Sequence, residues 1–141
     1  MAWEYGGIDI GQFTAAGDYN DAVDQYLIVR ITTGQTIAVT TAATLNSIGI
    51  LQDRPSSGMA ANVRVWGISK ARVTTTAHSA ITAGTKIGAS TVGAGSVGPS
   101  TLVTRYVLGR SLGTLAANTT GIITILITHE GAGSSGAGAG A

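Results

Sequence analysis

Few side chains in this chain could do chemistry: eight Lys/Arg, seven Asp/Glu, two His and no Cys among 141 residues. The missing cysteines exclude a disulfide framework and any thiolate metal site. Asp18-Tyr19-Asn20-Asp21 opens like a calcium loop, with Asp18 and Asn20 at its first and third positions. Ala22 then stands fifth, Val23 sixth where glycine is required, and no glutamate closes the loop, so an Asx turn or short cap is expected. Gly93-Ala94-Gly95-Ser96-Val97-Gly98 has dinucleotide-loop spacing, but Pro99 and a Thr/Val-rich segment follow where a helix is needed. With 21 glycines in the chain, coincidence explains that match better.

The two histidines, His78 and His129, are expected at the solvent-exposed surface. Neighbours on a strand point to opposite faces, so His129 and Glu130 do not act on one atom. No serine sits in a nucleophile elbow and no lysine follows a phosphate loop. Asp53 and Glu130 are the only acids beyond residue 24. These shortages predict a protein without catalytic residues, metal or cofactor. Arg54, Arg64, Lys70, Arg72, Lys86, Arg105 and Arg110, with Trp66 as a stacking partner, are spread over several segments without a dense cluster. A net charge of +1 adds little phosphate attraction, so no nucleic-acid partner is expected. No run reaches the ~20 apolar residues of a membrane-spanning helix, and Met1 to Gly11 lacks a basic start and apolar run. The expectation is a soluble protein with no membrane partner.

Many Thr, Val, Ile and Ala, 21 glycines and 5% aromatics point to short strands and tight turns, hence an all-β fold, a small barrel or sandwich. Tyr26 to Ile31, a Thr33-Gly34-Gln35 turn and Thr36 to Thr40 read as a hairpin. A second hairpin runs from Ile48 through an Asp53 to Gly58 turn, then through Val63 and Val65, which alternate with Arg64 and Trp66, to Val73. Lys86 to Gly88 and Thr101 to Leu112, the latter broken at Gly109, add strands; Ser90 to Ser100 is expected as an exposed loop. In Gly121 to Thr128, Ile123, Ile125 and Ile127 face one way and Ile122 and Leu126 the other, which predicts a strand covered on both faces.

The organisation read from these signals is an arm at 1–23, a β domain at 24–130 and a flexible Gly/Ala/Ser tail at 131–141. Residues 1–24 hold five of the seven acids and no base, and Trp3, Tyr5, Phe13 and Tyr19 are four of the seven aromatics. One reading is an extended arm that orders against a partner, with Trp3, Tyr5 and Phe13 as anchors and Glu4 and Asp9 as complementary charge. Its removal would then leave a folded body. The other reading is that the arm folds back on its own body. Trp66, Arg64 and Arg54 are the body residues placed at an interface.

Gly49-Ile50-Leu51-Gln52-Asp53, Pro55, Gly58, Ala61, Val63, Val65, Gly67 and Lys70 together resemble the central hairpin of a family of small capsid decoration (cement) proteins of tailed bacteriophages. The resemblance continues through Ile81 to Ile87, Val107 to Leu112 and Ile122 to Ile127, spanning roughly residues 24 to 128. It implies a structural protein, made in the host cytoplasm, that binds the outer surface of the assembled head. Its partners would be the major capsid protein and itself, as a homotrimer, bridging neighbouring subunits against the pressure of packaged DNA. A glycan-binding module of a tail or fibre protein, with Trp66 as its platform, is the alternative.

Overall fold

Backbone polar groups that enter a core must be paired, and this chain pairs them strand to strand. The computed structural model describes residues 6–42, 46–75, 79–90, 93–97 and 106–132. Trp3, Glu4, Tyr5, His78, Arg105 and tail residues 133–141 lie outside them. Among the described residues there are nine strands and no helix: β1 (Gly7–Ala15), β2 (Ile28–Thr33), β3 (Thr36–Val39), β4 (Gly49–Leu51), β5 (Ala60–Thr74), β6 (Lys86–Ala89), β7 (Gly95–Val97), β8 (Tyr106–Ser111) and β9 (Thr120–Ala132). The fold is all-β, and both expected hairpins are present. β2 pairs with β3 (Val29 opposite Val39) across a turn at Gly34, and β4 with β5 (Leu51 opposite Val63) across a turn with Gly58 at φ 79°.

The sheet order is β1-β3-β2-β4-β5-β7-β6-β8-β9, and it closes on itself through the additional pairings β1–β5 and β5–β9. Two rings result, β1-β3-β2-β4-β5 and β5-β7-β6-β8-β9, with β5 common to both. At 15 residues, β5 spans about 50 Å, more than one small ring needs. Each ring has its own core. Ala15, Val29, Ile37, Leu51, Ala61 and Val63 fill the first, with Phe13 and Tyr19 packed against them. The second holds Ala71, Val73, Ile87, Leu108, Ile123, Ile125 and Ile127, joined by Ile28 and Ile50 from the first ring's wall.

Both edges of β5 change partner in its middle. Arg64 lies between Asp9 of β1 and Ile50 of β4, whereas Gly67 lies between Gly7 of β1 and Ile127 of β9, and Val73 between Gly95 of β7 and Gly121 of β9. Thus β4 gives way to β9 on one edge and β1 to β7 on the other. Trp66 and Arg64 stand opposite the consecutive Ile8 and Asp9, so Val65 is an extra residue, a bulge that bends the strand between its two rings.

Several expectations are corrected here. The described part of the leader is β1, paired with the chain's own β5 and β3, which is the folded-back reading. Ser90 to Ser100 is not simply an exposed loop, because it contains β7 and the buried Ala94. Gly95 is there for want of space: a Cβ would come within 2.9 Å of the Ile87 side chain. β9 runs on to Ala132, past the expected tail boundary at 131. It is covered on one face only, since Ile122 is 47% and Leu126 37% exposed. β4 and the start of β2 are buried on both faces, because they form the wall between the two cores; Ile28, Val29, Ile50 and Leu51 are all fully buried.

Gly67 has φ 93°, and a Cβ there would run into the Gly6 carbonyl oxygen and approach the Gly7 Cα to 2.6 Å. Gly67→Ala is therefore expected to cost about 3 kcal/mol in denaturant unfolding. Gly34→Ala, whose φ is 53° with no atom within 4 Å, should cost only about 1 kcal/mol. Equal costs would refute the close-approach argument. Deleting residues 1–17 removes β1, Phe13 and Ala15 from the first core, so the truncated chain should lose cooperative unfolding; an intact transition of unchanged midpoint would show that β1 is dispensable.

Candidate functional site

Three of the eight residues singled out from sequence meet where β5 changes partners. Asp9 and Arg64 form a bidentate ion pair: Arg64 Nε donates to Oδ1 at 2.5 Å and Nη2 to Oδ2 at 2.9 Å, while Nη1 donates to the Ile68 carbonyl at 2.9 Å. The guanidinium holds the Asp9 carboxyl below its ordinary range, and the carboxylate pushes Arg64 up. Asp9 thus spends its charge within the chain instead of offering it to a basic partner. Trp66 follows two residues later and is 53% exposed, opposite Ile8, which is 57% exposed.

Phe13 and Arg54 are elsewhere. Phe13 packs against the first core and is no free anchor. Arg54 stands exposed in the turn before β5. Trp3, Glu4 and Tyr5 lie outside the described residues; Gly6, the residue after them, accepts a hydrogen bond from Ile68 N at 3.1 Å, beside Trp66.

His129 organises this junction, although sequence reasoning placed it at the solvent-exposed surface. The carbonyl of Val65, at the bulge between β4 and β9, can only accept, so His129 Nε2 carries the hydrogen and donates to it at 2.7 Å. In the neutral ring Nδ1 is then the acceptor, and the Tyr106 hydroxyl donates to it at 3.0 Å. Burial pushes the Tyr106 phenol up, which keeps it a donor. The imidazole lies nearly parallel to the Trp66 indole, at 14° with centroids 6.3 Å apart. An exposed aromatic ring is thereby held in one orientation. The positive φ of His129, 48°, is the backbone conformation that turns β9 away from β5 after Ile127.

Beyond β9 a second bidentate pair joins Arg110 to Glu130, at 2.7 and 2.8 Å, with Thr128 Oγ1 donating to the same carboxylate at 2.9 Å. Glu130 is lowered chiefly by Arg110, with Lys86 contributing at longer range. Lys86, Arg110, Leu126 and Ile68 form a cross-strand row over β6, β8, β9 and β5. Of the expected bases, Arg64 and Arg110 are engaged by carboxylates, and Lys70 Nζ lies 5.9 Å from the centroid of the Tyr26 ring. Two further leader carboxylates accept from backbone N–H groups: Asp24 Oδ2 from Asp21 N at 3.2 Å, within a local turn, and Asp18 Oδ1 from Ser57 N at 2.8 Å, which ties residue 18 to the turn before β5. Among the described residues no three His, Cys, Asp or Glu side chains come together in a metal-binding group.

What this arrangement can do is present a rigid apolar surface with charged neighbours. Sequence missed Ile8, Leu126, His129 and Tyr106; the alternation Ile122/Leu126 against Ile123/Ile125/Ile127 already marked an outer face, wrongly assumed covered.

No protein-family model and no curated protein matches the chain. Among solved structures it is similar to the N base of head fiber gp8.5 of bacteriophage phi29, with a TM-score of 0.57 and 12% identity, covering 89% of this chain and 98% of that one. At such low identity the likeness is one of fold.

The lowered carboxyls of Asp9 and Glu130 set a pH dependence. A folded-state value below the unfolded one contributes stability above roughly pH 4, lost as pH falls through the depressed value. The contribution should be under about 1 kcal/mol per exposed pair. In thermal melts between about pH 6 and pH 3, Asp9→Asn with Glu130→Gln should therefore show a smaller fall in Tm than the parent. An equal or larger fall would contradict the pairing.

Proposed function

We propose that this protein is a structural component associated with a phage head, and that it acts as a decoration protein. The observation that carries this reading is the fold shared with a head-fiber base over almost all of that chain. The hairpin pattern of Gly49 to Lys70 supports it independently, because it resembles decoration proteins in sequence. On this reading the protein binds the outer surface of the assembled capsid and bridges neighbouring major capsid subunits against internal DNA pressure. It does so as a homotrimer and by contact alone, with no bond made or broken.

The double-ring body suits such a role. Every described strand has hydrogen-bonded partners on both sides over at least part of its length, so few free edges remain for unwanted strand addition. A rigid body with one adhesive face bridges by geometry, and several linked copies release far more slowly than one. A ligand that binds only the assembled shell stabilises it by mass action.

Purified protein mixed with emptied, expanded phage heads should co-sediment at saturating stoichiometry and raise the temperature at which the heads rupture. Its solution mass should be three times that of the 14.1 kDa chain. Retention on no head preparation, with specific retention on a glycan array, would replace this reading by a receptor-binding one.

A further inference from the structure

Resting on the head-associated reading, we infer that the outer face of β1, β5, β9 and β8 around Trp66 docks into an apolar protein pocket with an acidic rim on the shell. Three observations converge on it. Ile8, Trp66 and Leu126 are 57%, 53% and 37% exposed, and cross-strand pairing places Ile8 beside Trp66 and Leu126 beside Ile68. Directly opposed residues in a sheet share a face, so these side chains form one apolar surface.

The second observation is rigidity. Trp66 is stacked on His129, which is fixed by hydrogen bonds with Val65 and Tyr106. An anchor already held in its bound orientation loses little freedom on docking, and tryptophan is among the commonest anchors of protein interfaces.

The third is charge. Asp9 is neutralised by Arg64, and Glu130 by Arg110. The row that continues the patch, Leu126, Arg110, Lys86, therefore ends in a second base acting on one acid. Arg72, opposite the exposed Ile122, adds positive charge further along β5, and its buried Nε has no hydrogen-bond partner. Among the described residues the face is apolar at its centre and basic at its margin, which selects an acidic rim in the partner. A saccharide fits it less well: the Asp9 and Arg64 groups nearby that could bond ring hydroxyls already bond each other, and aliphatic Ile8 stands opposite the indole.

The experiment measures binding of the full chain to expanded heads by co-sedimentation, for the parent, Trp66→Ala, Ile8→Asp and Lys86→Glu, with Tm and sedimentation mass recorded for each. Trp66→Ala and Ile8→Asp should each weaken binding at least 100-fold, Lys86→Glu about tenfold, and added NaCl should weaken the parent, all with Tm and mass unchanged. Ile8→Asp keeps the test decisive should Trp66→Ala lower Tm, since Ile8 has no part in the stack. If the parent binds heads and the two apolar variants bind as tightly, the docking face is wrong while the proposed function stands. A fall in mass to the monomer with either variant assigns the face to a second copy and overturns the inference, as does displacement of the parent from heads by a saccharide. If the parent binds no heads, it is the proposed function that fails.

Discussion

The structure depends on one long strand exchanging its neighbours on both edges. β5 begins between β1 and β4 and finishes between β7 and β9: β4 gives way to β9 across the bulge and glycine at Val65 to Gly67, and on the other edge β1 ends at Gly67 before β7 takes over at Val73. A regular strand keeps its neighbours along its length. Here the extra residue bends β5, and the missing side chain at Gly67 lets Gly6 and Gly7 press against it. Two closed rings and two cores follow from that local arrangement. β2 and β4, wedged between the cores, are the interior of the molecule.

The same exchange makes the surface feature to which function is assigned. Where β4 has ended and β9 begins, the Val65 carbonyl needs a partner, and His129 reaches back to supply it. A structural requirement, satisfying a backbone acceptor, thus fixes the imidazole against which Trp66 lies. The left-handed conformation at His129 is the local cost of that turn in β9. Exposed apolar side chains on both sides of the indole have no such internal reason, and a sheet face of this kind is where a partner is expected.

Electrostatics on this face are arranged by pairing. The acidic leader and basic body seen in the sequence do not persist as separate fields in space, because Asp9 crosses to Arg64 when β1 joins β5. Asp18 and Asp24 are likewise engaged by backbone N–H groups in turns. Among the described residues, the charge that carboxylates leave unmatched along this face is positive, from Lys86 and Arg72, which reverses the partner charge that the leader alone suggested.

By itself the sequence determined the class of the fold and its hairpins, because β-branched alternation and Gly or Asp turns act over a few residues; the β2–β3 and β4–β5 pairings are the hairpins it marked, and their register came from the structure. It also picked Asp9, Arg64 and Trp66 individually, as two charges and an aromatic assigned to an interface. It did not tell that Ile50 and Leu51 are covered on both sides while Ile122 and Leu126 are not. Both are apolar runs, and which one lies between two cores is a property of ring closure, set by residues far apart along the chain, as Asp9 and Arg64 are at 55 positions. Only the tertiary structure decided that β1 belongs to the body, that Gly93 to Gly95 is buried and leads into a strand, and that His129 stands behind Trp66, because each depends on the partner exchange along β5.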